Sequence, residues 1–139
     1  MKVIKAGCYV VNLDKRQIAL VYRQKQKDYS FPKGHLENGE SIEQCAIRET
    51  NEEIKRDVEI VKDIPPTIES YVTPSGEECL CYMFVALDKG VSKNDSQDYH
   101  PLIWTDIEKV ENVLSYDSLK QSWKSIKEKI ERMLEKYIT

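Results

Sequence analysis

The first two-thirds of the chain consist of short apolar runs separated by polar turns. Residues 3–11 and 17–22 are rich in aliphatic side chains with Asn12 and Asp14 between them, so the pattern predicts a β-hairpin. Residues 78–87 (ECLCYMFVAL) are apolar at successive positions, which is typical of a strand covered on both faces. Shorter strands are predicted at 58–61, 67–72 and 102–104.

A period of three to four residues predicts the helices. Ser41 and Gln44 have the spacing of a capping box, so a helix should begin at Ser41 and run to about Lys55. Apolar residues recur at helical spacing from Leu119 to Tyr137, which predicts a long amphipathic helix. Because strands and helices alternate, we predict an α/β fold with a mixed β-sheet between helical layers.

Polar segments predict the loops. Residues 23–29 (RQKQKDY) should form an exposed basic loop, and residues 31–39 (FPKGHLENG) a turn-rich loop. The tetrapeptide at 73–76 (TPSG) has the composition of a tight turn. A polar loop is predicted at 89–99 and a short helix at 106–113.

Composition narrows the class of protein. The 139 residues suit one compact domain, residues 1–139, and 40% hydrophobic with 32% charged residues indicates a globular chain. The net charge of −3 argues against a nucleic-acid binder that relies on a large basic field. No run approaches the roughly 18 apolar residues of a membrane span, and the first residues predict a strand rather than a secretion signal. These features leave the oligomeric state open.

Cysteine spacing bears on the redox environment. Cys8, Cys45, Cys79 and Cys81 include no CxxC pair, and no cluster of histidines accompanies them. We therefore expect free buried thiols rather than disulfides or a zinc site. Reduced thiols favour a cytoplasmic location.

Three carboxylates mark the candidate site. Glu49, Glu52 and Glu53 are related by three and four positions on the predicted helix, so they share one helix face. Like charges at this spacing repel each other, and no lysine is interleaved among them. A hard divalent cation would cancel the repulsion, since Mg²⁺ prefers carboxylate oxygens, water and phosphates. The spacing alone leaves two interpretations open: a metal site or a solvated acidic face.

The segment GHLENGESIEQCAIRETNEE resembles the Nudix box, whose pattern is G-x5-E-x7-R-E-U-x-E-E-x-G-U with U aliphatic. Six residues match its fixed positions: Gly34, Glu40, Arg48, Glu49, Glu52 and Glu53. The hairpin before the box, the strands after it and the C-terminal helix also resemble the family's order. The resemblance implies a Nudix-type α/β/α sandwich. It further implies a Mg²⁺- or Mn²⁺-dependent hydrolase that cuts the phosphoanhydride bond of a nucleoside diphosphate linked to another group.

The chain departs from the box where the helix ends. Lys55 stands where the family has glycine, and Arg56 stands where it has an aliphatic residue. Glycine allows a left-handed turn at a helix C-terminus. Lys55 must therefore adopt that conformation at some cost, or the helix must end differently.

The resemblance assigns roles to the box residues. It implies that Glu49 and Glu53 are the main metal ligands and that Glu52 is a further ligand or activates the attacking water. The backbone carbonyl of Gly34 would complete the metal site. Catalysis would thus depend on Glu52, Glu53 and Arg48.

Residues beside the metal face receive supporting or alternative roles. Glu40 and Arg48 are expected to pair and hold the loop against the helix. In the family a carboxylate in the loop before the late tryptophan often activates the water. Asp98 and His100, upstream of Trp104, are the candidates here, and the alternative is that both belong to an exposed loop.

Three residues are candidates for substrate binding. Lys33 precedes the glycine loop, where a cation suits an anion, although it could be a solvent-facing lysine. His35 could contact phosphate or simply be packed or solvated. Tyr82 resembles a tyrosine that lines the cleft of diadenosine tetraphosphate hydrolases, with a core tyrosine as the alternative.

The string PKGH before the box resembles diadenosine tetraphosphate hydrolases and their relatives. We therefore expect a small-molecule nucleotide substrate, with cleavage of diadenosine tetraphosphate to ATP and AMP as the first hypothesis. The alternatives are a MutT-like pyrophosphatase that removes oxidised nucleoside triphosphates and a catalytically silent binding protein with the same fold.

Overall fold

The computed structural model describes residues 2–97 and 99–138. Within these residues the elements follow in this order: β1 (Val3–Asn12), β2 (Gln17–Arg23), β3 (Asp28–Ser30), β4 (Lys33–His35), α1 (Ile42–Ile54), β5 (Arg56–Ile60), β6 (Thr67–Val72), β7 (Glu78–Val91), β8 (Leu102–Asp106), a 3₁₀ turn (Ile107–Lys109), α2 (Val110–Val113) and α3 (Asp117–Ile138).

All eight strands belong to one mixed sheet whose central path runs β3-β2-β1-β7-β5. Strands β1 and β7 are parallel, with Val3 opposite Cys79 and Val11 opposite Leu87. The other pairings are antiparallel, and they attach β4 to β1, β6 to β7 and β8 to β2. This arrangement confirms the predicted mixed sheet.

Helices cover both faces of the sheet. The even-numbered side chains Cys8 and Val10 of β1 pack in the core cluster beneath α1, whereas Tyr9 and Val11 pack in the cluster beneath α3. Trp123 of α3 is fully buried. Its ring centroid lies 6.2 Å from that of Tyr9 and the same distance from that of Phe31. The structure is therefore an α/β/α sandwich, as predicted.

The four cysteines are free and buried, which confirms the prediction of unpaired thiols. Cys8 and Cys45 pack beneath α1, while Cys81 packs beneath α3. Among the described residues, no helix combines the length and the apolar character needed to cross a membrane.

Two segments predicted as loops contain strands. Asp28–Ser30 pairs with β2, because Arg23 donates two hydrogen bonds to Asp28, at 2.7 and 2.6 Å, and allows its buried carboxylate to enter the sheet. Lys33–His35 pairs with β1, where Gly7 leaves room for the crossing chain: a Cβ on Gly7 would lie 2.0 Å from the carbonyl oxygen of Pro32.

The strand β7 is also longer than predicted and ends at Val91. Its last residues pair with β5, and Arg56 donates two hydrogen bonds to Asp88, at 2.8 and 2.6 Å. The polar sequence after Leu87 therefore continues the sheet, because an ion pair across the two strands compensates its charge.

Both ends of α1 follow from local sequence. Ser41 accepts a hydrogen bond from the N–H of Gln44, and the Gln44 side chain accepts one from the N–H of Ser41, so the predicted capping box is present. At the other end Lys55 adopts the left-handed conformation, with φ 54° and ψ 44°. Lys55 thus occupies the backbone conformation that glycine favours, and the helix ends where the box pattern places its end.

Candidate active site

Arg48 lies at the centre of the acidic face of α1. Its Nε and Nη2 donate to the two carboxylate oxygens of Glu40, at 2.6 and 3.0 Å, so the predicted ion pair is present. Its Nη1 donates to Glu49 at 2.6 Å and to Glu52 at 3.2 Å. Its Nη2 also donates to the carbonyl oxygen of His35 at 2.9 Å. Its Nη1 also lies 3.5 Å from the carboxylate of Glu37, so one guanidinium joins the loop after β4 to the helix and compensates four carboxylates.

Strand β4 brings Gly34 directly against Glu49. A Cβ added to Gly34 would lie 1.8 Å from Oε2 and 2.1 Å from Cδ of Glu49, so any larger residue at position 34 would have to displace this carboxylate. Burial raises the pKa of Glu49, and the hydrogen bond from Arg48 opposes that shift. The Glu49 carboxylate thus lies between the backbone of Gly34 and the guanidinium of Arg48.

Glu53 lies in the last turn of α1, close to β4. The N–H of Lys33 donates to its Oε1 at 3.4 Å. Burial raises the pKa of Glu53 to about 7, although this hydrogen bond and the nearby charges of Arg23 and Lys33 lower it. Its ionised form is costly without a further cation, which is a feature of functional carboxylates.

The acidic face fits a hydrated divalent cation better than a closed protein cage. Among residues 2–97 and 99–138, no three His, Cys, Asp or Glu side chains are grouped closely enough to enclose an ion. Arg48 holds two of the candidates, Glu49 and Glu52. Mg²⁺ needs only one or two carboxylates, because water and substrate phosphates complete its octahedron. Burial of Glu49 and Glu53 supplies carboxylates whose charge such a cation would compensate.

The acidic face borders a cleft made of two adjoining cavities. The smaller, about 190 Å³, contains Glu53 and Gly34 in its wall, and the larger is about 470 Å³. The cavities share four lining residues: Lys5, Arg23, Ser30 and Lys33. Because three of these four side chains are cationic, the passage from Glu53 into the larger cavity suits an anion.

Two tyrosines line the larger cavity of this cleft. Tyr71 of β6 lines the larger cavity, and Lys5 Nζ lies 5.8 Å from the centroid of its ring. Tyr116, just before α3, also lines it and donates from its hydroxyl to Asp28 at 2.5 Å. Because Arg23 fixes the same carboxylate, the Tyr116 ring is held in place. The larger cavity therefore adds two aromatic rings to the cationic passage that it shares with the smaller cavity.

The structure brings some of the predicted binding residues to this cleft and leaves others outside. Lys33 and His35 line the smaller cavity beside Glu53. Tyr82 packs against the core cluster beneath α1, on the sheet face opposite to the one on which Tyr71 packs. Tyr82 is thus half-buried on the α1 side of the sheet, and it does not line the cavity of Tyr71 and Tyr116.

The two candidate bases lie before β8. The N–H of His100 donates to the carbonyl oxygen of Glu53 at 2.7 Å, which joins this loop to the last turn of α1. The His100 side chain lines a separate cavity together with Tyr99. Asp98 lies outside the described residues.

Sequence patterns do not indicate Lys5, Tyr71 and Tyr116 as site residues, and they indicate Arg23 only as part of a basic stretch that could offset phosphate charge. Lys5 and Tyr71 occupy alternate positions of strands, which the period of two indicates only as one face of a sheet. Arg23 and Tyr116 meet at Asp28, a contact across most of the chain. Only the folded sheet brings these residues together.

A capped helix that presents carboxylates to a cationic cleft defines a class of site, one that suits an anionic substrate held together with a cation. The family model of the NUDIX domain matches residues 1–131, and the chain belongs to the Nudix hydrolase family. Its members share cleavage of pyrophosphate bonds and generally use divalent metals such as Mg²⁺.

Solved Nudix structures have the same fold. The Ap4A hydrolase of C. elegans superposes with a TM-score of 0.76 at 23% identity, covering 94% of this chain and 99% of that one. A NUDIX hydrolase from Nitrosomonas europaea gives 0.68 at 20% identity, covering 88% and 86%. The MutT protein of Bacillus halodurans gives 0.67 at 21% identity, covering 90% and 82%. At these identities the comparison establishes the fold alone.

Proposed function

We propose that this chain is a Mg²⁺- or Mn²⁺-dependent hydrolase of dinucleoside polyphosphates, which cleaves diadenosine tetraphosphate to ATP and AMP. The observation that carries the proposal is the continuous cleft from Glu53, past three cationic side chains, to Tyr71 and Tyr116. Its two cavities together are in the size range of small-molecule sites. One neighbour with the same fold is the Ap4A hydrolase of C. elegans, and its name agrees with this substrate class.

The cationic part of the cleft suits a long phosphate chain. Arg23 is already engaged by Asp28, so Lys5 and Lys33 carry most of the charge that a phosphate chain would meet. Each added phosphate brings more negative charge within reach of these lysines. A tetraphosphate therefore gains more from this passage than a shorter chain does.

The aromatic end of the cleft suits a nucleobase. Tyr71 and Tyr116 line the same cavity, and stacking on aromatic rings tolerates either purine. Glu69 also lines this cavity but accepts a hydrogen bond from Ser122 Oγ at 3.0 Å, which directs its carboxylate toward α3. Tyr116 would be presented in one orientation, because Asp28 accepts from its hydroxyl.

The reacting bond would lie at the other end, beside α1. Glu49 and Glu53 would hold the cation, with Glu52 as a further ligand or as the activator of the attacking water, and a bound Mg²⁺ or Mn²⁺ supplies charge neutralisation and a more acidic water. Arg48 orients Glu49 and Glu52 by direct hydrogen bonds. Gly34 lets the Glu49 carboxylate approach β4. Positioning and charge stabilisation of this kind account for most of the rate in phosphoryl chemistry.

A substrate panel with product chromatography tests the proposal. Diadenosine tetraphosphate, 8-oxo-dGTP, ATP, a nucleotide sugar and an inositol pyrophosphate would be compared with Mg²⁺ present. We expect the dinucleotide to have the highest kcat/KM, and Tyr116→Leu to lower it about tenfold. Tyr137→Leu, a change at another exposed tyrosine, is the matched control.

Two outcomes of the panel would replace this proposal. A clear preference for 8-oxo-dGTP or another triphosphate would establish the MutT-like pyrophosphatase instead. Binding of nucleotides without turnover of any substrate, at every Mg²⁺ and Mn²⁺ concentration, would establish a silent binding protein with the Nudix fold.

A further inference from the structure

A third cavity adjoins the catalytic end of α1 and is not used by the cleft described above. It measures about 440 Å³ and is lined by Gln24, Lys25, Tyr99 and His100. Gln24 follows Arg23, which lines the catalytic cavity, and the His100 N–H donates to the carbonyl oxygen of Glu53 at 2.7 Å. Two lining residues of the third cavity are thus directly connected to residues that line the smaller cavity beside Glu53, yet the third cavity shares no lining residue with the cavity of Tyr71 and Tyr116.

The Tyr99 ring is exposed and is nevertheless held in position. Its side chain is 56% exposed, and Lys55 Nζ lies 4.4 Å from the ring centroid. A cation at this distance attracts the face of an aromatic ring. An exposed ring with a fixed orientation is a suitable stacking surface, because less freedom is lost when a base binds to it.

Lys55 is the residue that stands in place of the box glycine. Its φ of 54° is a conformation that glycine adopts without strain and lysine does not. The side chain that causes this strain is the one that contacts Tyr99. The strained backbone of Lys55 therefore occurs together with the contact between its side chain and the Tyr99 ring, which links the end of α1 to the loop before β8.

The loop that carries Tyr99 is tied to the last turns of α1 by three further hydrogen bonds. The N–H of Ser92 donates to the carbonyl oxygen of Lys55 at 2.8 Å, and Asn94 Nδ2 donates to that of Asn51 at 2.7 Å. Asn51 Nδ2 donates in turn to Ser92 Oγ at 2.7 Å. The first two bonds satisfy carbonyl groups that a helix end leaves without partners, and all three hold the loop next to the carboxylate helix.

We infer that the cavity of Gln24, Lys25, Tyr99 and His100 is a second nucleoside subsite. It would hold the base at the end of the phosphate chain opposite to the base bound by Tyr71 and Tyr116. Stacking on Tyr99 would provide the contact, Gln24 could hydrogen-bond a base edge, and Lys25 would face the phosphates. The inference rests on the proposed function, because only a substrate with two nucleosides can occupy both ends.

The test compares one substrate that has two bases with one that has a single base. Diadenosine tetraphosphate and adenosine 5′-tetraphosphate have equally long phosphate chains, but only the first carries a second adenosine. For Tyr99→Leu we expect kcat/KM to fall about tenfold for the dinucleotide and to change less than twofold for the mononucleotide. Tyr99→Phe should retain both activities, and Tyr137→Leu, at an exposed tyrosine lining another cavity, is the matched control.

Lys55→Gly gives an independent measurement at the same subsite. Glycine relieves the backbone strain, so the melting temperature should stay the same or rise, while kcat/KM for the dinucleotide alone should fall about threefold. Lys55→Arg keeps a cation over the ring and should restore the dinucleotide preference.

The outcomes separate this inference from the proposed function. If the wild-type enzyme hydrolyses diadenosine tetraphosphate, the proposed function holds. In that case, equal losses of kcat/KM for both substrates in Tyr99→Leu, or no loss for either, would overturn the subsite alone. A wild-type enzyme that does not cleave the dinucleotide would overturn both.

Discussion

The carboxylate of Glu49 occupies the space that a side chain at position 34 would fill. A Cβ on Gly34 would lie 1.8 Å from Glu49 Oε2, and Arg48 Nη1 holds the other oxygen, Oε1, at 2.6 Å. Position 34 therefore requires glycine because of the space that the Glu49 carboxylate occupies. Backbone conformation is not the reason, since Gly34 lies in a strand and its φ is not positive.

This contact predicts that Gly34→Ala will impair function more than stability. The new Cβ would displace a flexible carboxylate rather than backbone, so the fold should tolerate it, with a change of about 1 kcal/mol or less. Activity and Mg²⁺ affinity should both fall at least tenfold. Calorimetric metal titration and kinetics would measure this. Gly7→Ala is the contrasting variant, because its Cβ would meet the carbonyl oxygen of Pro32 at 2.0 Å and should destabilise the fold. Normal Mg²⁺ binding by Gly34→Ala would contradict the prediction.

Glu53→Gln should lower turnover by roughly 100-fold or more, because a group expected to position the metal is lost. The same variant should be more stable than the wild type in chelator at pH 8. Folding raises the pKa of Glu53 from 4.5 to about 7, so its ionisation costs the folded state. Wild-type stability should therefore fall as pH rises from about 4.5 to about 7, by on the order of 2 kcal/mol, while the variant lacks this loss. Thermal unfolding of wild type and variant at pH 5 and pH 8 measures the difference. The same difference in melting temperature between the two proteins at both pH values would refute the raised pKa of Glu53.

Arg48→Ala should reduce both stability and activity. It removes the common partner of four carboxylates, those of Glu37, Glu40, Glu49 and Glu52, and leaves them without compensation. Breaking a fully buried pair costs about 3–5 kcal/mol. Because Arg48 is 25% exposed, we expect roughly 2 kcal/mol. Arg132→Ala breaks an exposed pair with Glu128 and should cost less than about 0.5 kcal/mol. Denaturant unfolding of the two variants side by side is decisive, and equal losses would contradict the role of Arg48.

Lys33→Ala should weaken the preference for long phosphate chains. Lys33 lines both cavities of the cleft, so its loss affects the substrate whose phosphates extend furthest along it. We expect kcat/KM to fall about tenfold for diadenosine tetraphosphate and about threefold for ATP. The ratio of kcat/KM for diadenosine tetraphosphate to kcat/KM for ATP should also become less sensitive to salt. Lys15→Ala, at an exposed lysine of the β1–β2 turn, is the control. An equal fall for both nucleotides would show that Lys33 does not select chain length.

The carboxylate helix can be predicted from the sequence because its determinants are local. Ser41 and Gln44 specify its start, and the residues of its acidic face are one or two turns apart. The sequence leaves two conformations open at Lys55, since the contact with Tyr99 that accompanies the strained one involves a distant loop. Periodicity describes a helix well, but it does not reveal what lies against its end.

The substrate cleft cannot be predicted in the same way, because its residues converge only through long-range pairing. Asp28 has no local signal of burial; its environment is created by Arg23 and by Tyr116, which is 88 positions further along the chain. Choosing between Tyr82 and Tyr71 requires knowing which face of the β6–β7 hairpin meets the cleft. A strand shows alternate faces in its sequence without indicating which cavity each face lines.

The parallel pairing of β1 with β7 has a consequence for how the enzyme is made. Val3 lies opposite Cys79, so more than half of the chain, including α1, forms a loop that this pairing closes. Contacts so far apart in sequence form slowly during folding. A nascent chain that ends at Pro66 already contains all the box residues, yet it lacks the central strand on which β1 and β5 assemble. Enzymatic activity should therefore emerge only after the ribosome has released β7, late in synthesis and well after the catalytic residues themselves have been translated.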